Sequence, residues 1–319
     1  MKPFVRLWPL GAIMLTLNSS AWAQPLPHPY PIKPLRIITA AAGGGGDYVT
    51  RLIATPLSAA LGQPVMVDNR GLLAADVAAK SPADGYTVLL SGSTLWLLPY
   101  MRDSVGATVN DFRAITLATQ TANILVVHPM LPAKSVKELI SLCRAKPGQI
   151  NYAISGIGNS VHIAGELFKS MSGIQVERIN YKGASQALTE LVSGQTQFMF
   201  AVPGSALPHM KSGRLRALAV TSATPTPFAP DLPPVAATLP GYESVSRLAV
   251  FAPAGTPTPI ITRLNQEIVR ILNTTEVKEK FFASETETVG STPEALAATV
   301  HAESERLGKV IKAAGVRTH

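Results

Sequence analysis

The sequence predicts an α/β protein built from two units. Three observations carry this. Short β-branched runs alternate with segments of helical spacing along the chain. Each of the two units contains one glycine-rich turn between a strand and a helix. The chain has 319 residues, 296 of which remain when the first 23 are set aside, and that length fits two domains.

The first 23 residues read as an export signal. Lys2 and Arg6 make a positive start, Leu7 to Leu17 is mostly apolar, and Ala21-Trp22-Ala23 is an A-x-A cleavage site. The apolar run is too short to span a bilayer. We expect a signal peptide cleaved after Ala23 and a periplasmic mature chain, rather than a membrane anchor or a buried N-terminal helix. The only cysteine is Cys143, so no lipid-anchoring cysteine follows the signal and an exported chain has no internal disulfide. Removing Lys2 and Arg6 lowers the formal charge from +8 to +6, which favours anionic ligands in a weak, general way. Basic residues are scattered and aromatic residues are 6% of the chain, which argues against nucleic acid.

In the first unit, Leu35–Thr39 reads as a buried strand. Val49, Leu52, Ile53, Leu57, Ala60 and Leu61 recur at helical spacing from Tyr48 to Leu61, with Asp47 as N-cap, Gly62 as stop and a kink at Pro56. A strand at Val65–Val67, a helix near Ala74–Lys80 and a strand at Thr87–Leu90 follow, the last after an Asp84-Gly85 turn. The second unit has a strand at Ile124–Val127 and a capping box, Ser135-Val136-Lys137-Glu138, opening a helix that stops at Lys146-Pro147-Gly148. Next come a strand at Asn151–Ile154, the turn Ser155–Ser160, a helix from His162 to Met171 ending at Gly173, and strands near Val176–Ile179, Phe198–Phe200 and Ala217–Val220. A helix between the first two of these ends at Gly194. Thr224 to Pro240 is a proline-rich surface loop, and Leu248–Phe251 is a strand. Two C-terminal helices open at Thr256-Pro257 and Thr292-Pro293, each read as a Thr cap with Pro in the first helical position. This pattern predicts parallel or mixed sheets with helices on both faces.

The two turns are the strongest functional signal. Gly43–Gly46 precedes Asp47, and Ser155-Gly156-Ile157-Gly158-Asn159-Ser160 precedes the helix holding His162. In open α/β sheets, ligands sit outside the carboxyl ends of strands. Glycine lets backbone approach a ligand, and the first amides of a helix are unpaired and partly positive. Such turns accept an anion without a charged side chain; they also occur merely to turn the chain tightly. Nucleotide readings fare worse. Val161 stands where the dinucleotide fingerprint needs its third glycine, and no phosphate-loop motif exists. No G-x-S-x-G elbow exists, and a hydrolase using Ser91 or Ser93 lacks a nominated base. The histidines lie far apart without metal-ligand spacing, and His162 reads as structural. Cys143 reads as a small buried hydrophobe. Neither cofactor nor metal is nominated.

Several segments together carry a resemblance. They include Tyr30-Pro31-Ile32-Lys33-Pro34-Leu35-Arg36, Gly43-Gly44 with Asp47 and Arg51, Asp68-Asn69-Arg70, and Ala83-Asp84-Gly85-Tyr86-Thr87. Further along stand Lys146-Pro147-Gly148, His162-x-Ala164-Gly165-Glu166-Leu167-Phe168, Tyr181-Lys182-Gly183, Leu215-Arg216-Ala217-Leu218-Ala219-Val220-Thr221, and Ala252-Pro253-Ala254-Gly255-Thr256-Pro257. In this order the chain resembles the extracytoplasmic receptors of tripartite tricarboxylate transporters, the Bug or TctC family, from Tyr30 to the C-terminus. The resemblance implies a type II periplasmic binding protein fold. Two α/β lobes, joined by strands crossing near Gln120–Ile124 and Arg247–Val250, would close on a ligand in the cleft between them. Lobe 1 would comprise residues 24–121 and 248–319, and lobe 2 residues 122–247. The implied function is capture of a small organic carboxylate by a monomeric, non-enzymatic receptor, which passes it to a membrane permease or reports it to a sensor kinase. Carried over, Ala42, Gly43, Gly44 and Asp47 form the first ligand loop, and Ser155, Gly156, Asn159 and Ser160 the second. Ser91, Ser93 and Thr94 would line the cleft.

The chain departs from the family at Thr39-Ala40, where Pro-Phe is common. The loop after Arg70 is shorter, leaving Gly71-Leu72-Leu73. Ala201 stands for a common Asp, and Arg247 for an aromatic residue. The fork of Arg247 suits a ligand's distal acid group, with a plain surface role as the alternative. An orphan scaffold without ligand is the rival to the receptor reading.

Overall fold

The computed structural model describes residues 30–43, 45–103 and 106–317. The expected signal peptide, 1–23, and Gly44 lie outside the described residues.

In chain order the elements open with β1 (Leu35–Thr39), α1 (Gly45–Leu61), β2 (Val65–Asn69), α2 (Ala74–Ala79), β3 (Thr87–Gly92), α3 (Thr94–Leu97) and β4 (Phe112–Ala122). The chain continues through β5 (Ile124–Val127), α4 (Val136–Ala145), β6 (Asn151–Ile154), α5 (Ser160–Ser172), β7 (Glu177–Asn180), α6 (Ala184–Val192), β8 (Phe198–Ala201), α7 (Pro203–Lys211) and β9 (Arg216–Val220). It ends with β10 (Val245–Pro253), α8 (Thr258–Leu272), α9 (Thr275–Ala283), β11 (Glu287–Thr288) and α10 (Pro293–Ala313).

Two mixed sheets result. The first has the order β11-β4-β10-β3-β1-β2, with β1 parallel to both β2 and β3 and β10 antiparallel to its neighbours. The second has the order β7-β6-β8-β5-β9, with β6 parallel to β7 and β8. β1 lies inside its sheet and buries Leu35 and Ile37 on one face and Ile38 on the other, with Arg36 half-buried beside Asp68.

The chain leaves the first sheet after Ala122 and enters the second at Ile124. It returns between Thr221 and Ser244 to start β10 at Val245. The two passages are tied together. The Asn123 amide donates to Thr221 Oγ1 at 2.8 Å, the Thr221 amide to the Asn123 carbonyl at 2.9 Å, and the Ser244 amide to the Thr221 carbonyl at 2.9 Å. All three residues are buried, so these bonds are shielded from water. The first sheet holds Ala122 and Val245 to Arg247, which the sequence reading places in lobe 2.

One apolar cluster runs through both lobes, joining Ile38, Trp96 and Phe251 of the first to Tyr152, Phe168 and Phe200 of the second, and each lobe adds a smaller cluster of its own. α1 buries Val49, Ile53, Leu57 and Leu61 against the first sheet. In the second lobe the Tyr152 and Phe198 rings stack with centroids 5.5 Å apart, and Phe168 meets Phe200 edge-on at 5.7 Å. α10 belongs to the first lobe yet packs on α5 of the second.

Several local expectations shift. Asp47 is not the N-cap of α1: the helix opens at Gly45, so Asp47 sits in its first turn. Pro56 stands inside α1 without ending it. Thr256 does not cap α8, which opens at Thr258 with Pro257 in the cap position. Thr292 caps α10 as read, accepting from the Ala295 amide at 3.2 Å. The sequence pattern does not predict α3, α7 or α9. α7 contains Pro203 and Pro208, which resemble breakers, although Pro is tolerated in a first helical turn. Among the described residues no helix is long and apolar enough to cross a membrane.

Candidate functional site

Both glycine-rich turns stand at the C-terminal ends of parallel strands and lead into long helices: β1 into α1, and β6 into α5.

The first turn is organised by Asp47. Its Oδ2 accepts from the Gly43 amide at 2.9 Å, and its Oδ1 from Arg51 Nε at 2.9 Å and Asn69 Nδ2 at 3.0 Å. Asn69 also donates to the Ala40 carbonyl at 3.0 Å. The Gly43 amide above all, then Arg51 and Asn69, holds the Asp47 pKa at about 2. Gly43 has φ +79°, a conformation that glycine adopts without strain. Ala42 and Gly43 are exposed. Asp47 thus shapes the loop from behind.

The second turn is built from Asn159 and His162. Asn159 caps α5 by accepting from the His162 amide at 3.0 Å. The His162 ring is fully buried, and its Nδ1 accepts from the Gly158 amide at 2.9 Å. Gly156 and Gly158 have φ of +144° and +80°. His162 is in turn held by a buried polar cluster. Its Nε2 lies 2.6 Å from Arg178 Nη1, and Glu166 Oε1 accepts from Tyr152 Oη at 2.5 Å and Arg178 at 3.0 Å. Burial pushes the Glu166 carboxyl up. Hydrogen bonds from His162 and Tyr152 and the charge of Lys169 outweigh it and hold the pKa at about 2. His162 is structural, and its structural task is to brace the candidate loop.

A cavity of about 80 Å³ lies between the lobes. Ser93 and Thr94 line it from the first lobe, and Asn159 and Ser160 from the second. Ser91 lies near the end of β3, paired with Ala249, and Ser155 is half-buried at the start of the second turn. None of Ala42, Gly43, Asp47, Ser91, Ser155 or Gly156 reaches this cavity. Gly158 of the second turn lines it too, and residues outside the expected site complete it, notably Ser246 and Glu303. Glu303 carries one faint signal. It lies on the buried stripe Leu296, Val300, Glu303, Leu307, where it is the one charged residue.

Arg247 is buried at 6% exposure, which removes the plain surface role. Its Nη1 donates to Glu303 at 2.6 Å and its Nη2 to Glu243 at 2.7 Å. A grip on a ligand's distal acid would have to displace one of these carboxylates. Burial raises the Glu303 pKa against the opposing pull of Arg247 and Arg306. Among the described residues no His, Cys, Asp and Glu group is arranged to hold a metal.

Comparison with known proteins identifies the family. The profile of the tripartite tricarboxylate transporter family receptor (TctC) matches residues 49–316. The chain belongs to this family. BugT from Bordetella pertussis (strain Tohama I) is 33% identical over 318 residues, covering 97% of this chain and 98% of that protein. Two solved Rhodopseudomonas palustris structures are similar. Rpa4515 with adipate has 34% identity and a TM-score of 0.72, covering 91% of this chain and 99% of its own. MatC with bound malate has 26% identity and a TM-score of 0.66, covering 88% and 100%. The TctC receptor fold is thus a two-lobed solute-binding fold, with the cleft between two mixed sheets.

Proposed function

We propose that this TctC-family receptor captures a small organic carboxylate by closing its lobes, with the turns at 42–46 and 155–160 gripping the acid. One observation carries the reading: each lobe turns a glycine-rich loop and a helix N-terminus out of the end of a parallel strand. Such ends accept an anion through backbone amides. That solved relatives hold adipate and malate supports the acid as ligand.

In this reading Ala42, Gly43 and Gly44 present first-loop amides and Asp47 sets their geometry. Ser155, Gly156, Asn159 and Ser160 form the opposing wall, and Ser91, Ser93 and Thr94 the floor. Arg247 acts by fixing Glu303 and Glu243. The closing bodies are the sheets on either side of Asn123 and Ser244. Ligand contacts to both bodies shift the open–closed population. The chain is exported with cleavage after Ala23, works as a monomer, and hands its acid to a permease or a sensor. It catalyses nothing, since His162 is committed to Gly158 and cannot serve Ser91 or Ser93 as a base.

The second reading, a receptor-like scaffold without ligand, is favoured by the small cavity. It measures about 80 Å³ against the roughly 300–1,000 Å³ usual for ligand sites. A thermal-shift screen of the refolded mature protein separates the two. Each acid is run beside its amide, because binding to the folded state alone raises Tm. Upward shifts with an acid and not its amide support capture. No shift with mono-, di- or aromatic acids supports the scaffold.

A further inference from the structure

We propose that Glu303 and Ser93 form a second polar subsite that takes a hydrogen-bond donor at the end of the ligand remote from the gripped carboxylate. The ligand is then a monocarboxylate with a distal hydroxyl or ammonium group, not a dicarboxylate. This deepens the carboxylate-capture reading and rests on it.

Both residues line the interlobe cavity, Ser93 from the turn between β3 and α3 and Glu303 from α10. The cavity's 80 Å³ is the volume of about three water molecules, enough for a hydroxyl or ammonium head group. Glu303 is 2% exposed. Its Oε1 and the Ser93 hydroxyl are buried with no hydrogen-bond partner among the described residues. Buried polar atoms are almost always paired, so two orphans on one cavity wall point to a group that enters it.

The surrounding charges decide the sign of that group. Glu303 Oε2 accepts from Arg247 Nη1 at 2.6 Å. Burial raises the Glu303 pKa, and the charged Arg247 at 2.6 Å opposes that shift and takes Oε2 as its acceptor. Arg247 Nη2 is taken by Glu243. Arg306 donates to the Glu243 carbonyl at 2.6 Å and to its Oε2 at 3.2 Å. Two guanidiniums and two carboxylates therefore balance, and the unpaired Glu303 Oε1 is left to accept from an entering group. Arg247 Nε also lacks a partner, but Arg247 lines only the outer pocket beside Tyr242 and Arg306, whereas Glu303 lines both that pocket and the interlobe cavity. A second ligand carboxylate would meet Glu303 as a like charge. A hydroxyl or ammonium group would donate to it, and the Ser93 hydroxyl can serve either one.

The test is calorimetric titration of the mature protein with matched acids. One set is hexanoate, its ω-hydroxy and ω-amino derivatives, and adipate; a shorter set is built on butyrate and succinate. The expected result is that an ω-hydroxy or ω-amino acid binds at least tenfold tighter than the unsubstituted acid and the dicarboxylate of its length. Preference for the ω-amino or the ω-hydroxy acid distinguishes the two donors. A dicarboxylate that binds tightest, or an unsubstituted acid that binds equally well, overturns the subsite and leaves carboxylate capture standing. No binding by any acid, with the fold verified by circular dichroism, overturns both. Glu303→Gln should reduce the ω-amino advantage by about 10- to 100-fold. Because Glu303 also holds Arg247, Ser93→Ala provides an independent check and should reduce the same ratio several-fold. A ratio unchanged in both variants overturns the assignment to these residues.

Discussion

Replacing Glu166 with Gln tests the brace behind the second turn. Its carboxylate faces Tyr152, Arg178, Lys169 and His162 and is 5% exposed. Its pKa is about 2 in the fold, against 4.5 ordinarily. At 1.36 kcal/mol for each pH unit, that difference contributes about 3 kcal/mol at neutral pH. The sign follows from a depressed acid. The contribution is present above pH 4.5 and lost as pH falls through about 2, with roughly 1.4 kcal/mol left at pH 3. Urea unfolding of both proteins, followed by far-UV circular dichroism at pH 7 and pH 3, reads it directly. Glu166→Gln should be less stable by about 3 kcal/mol at pH 7, and the gap should roughly halve at pH 3. A gap under about 0.5 kcal/mol at pH 7, or one equal at both pH values, would refute the reasoning.

Other consequences are equally open to measurement. Asp47→Asn removes the charge that Gly43, Arg51 and Asn69 converge on, so amide exchange across 40–46 should speed up. In the wild type the same loosening should appear only as pH falls from the ordinary carboxylate range through about 2, because the Asp47 pKa is depressed. Gly165→Ala should destabilise the second lobe by about 1–3 kcal/mol and lower Tm by several degrees in calorimetry. A Cβ there would stand 2.5 Å from Tyr152 Cε2. Burial pushes the Cys143 thiol up to about 11. At pH 8 only about one part in a thousand is thiolate, so a thiol reagent should modify the native protein over a hundredfold more slowly than the unfolded chain.

The sequence announced most of this architecture where burial and period agree. β6 was legible to the residue, because Asn151–Ile154 is bounded by turn residues and carries Tyr152, Ala153 and Ile154 in a row. The Ser135 cap of α4 was legible because its chemistry is local. Elements whose identity depends on distant partners were not. β4 runs eleven residues because β10 pairs along its length, and only its last residues were anticipated. The turns of the candidate site were visible as glycine runs before helices. Glu303 was not, since its part depends on α10 reaching across to the second lobe. Arg247 was visible as a departure from the family, but the carboxylates that occupy it lie 4 and 56 residues away.

The most direct test of capture between two lobes is hydrogen–deuterium exchange of the mature protein with and without an acid that raises its Tm. The account predicts that the acid, and not its amide, slows exchange in both 42–46 and 155–160 at once. Protection confined to one turn, or appearing only away from the cleft, would contradict it.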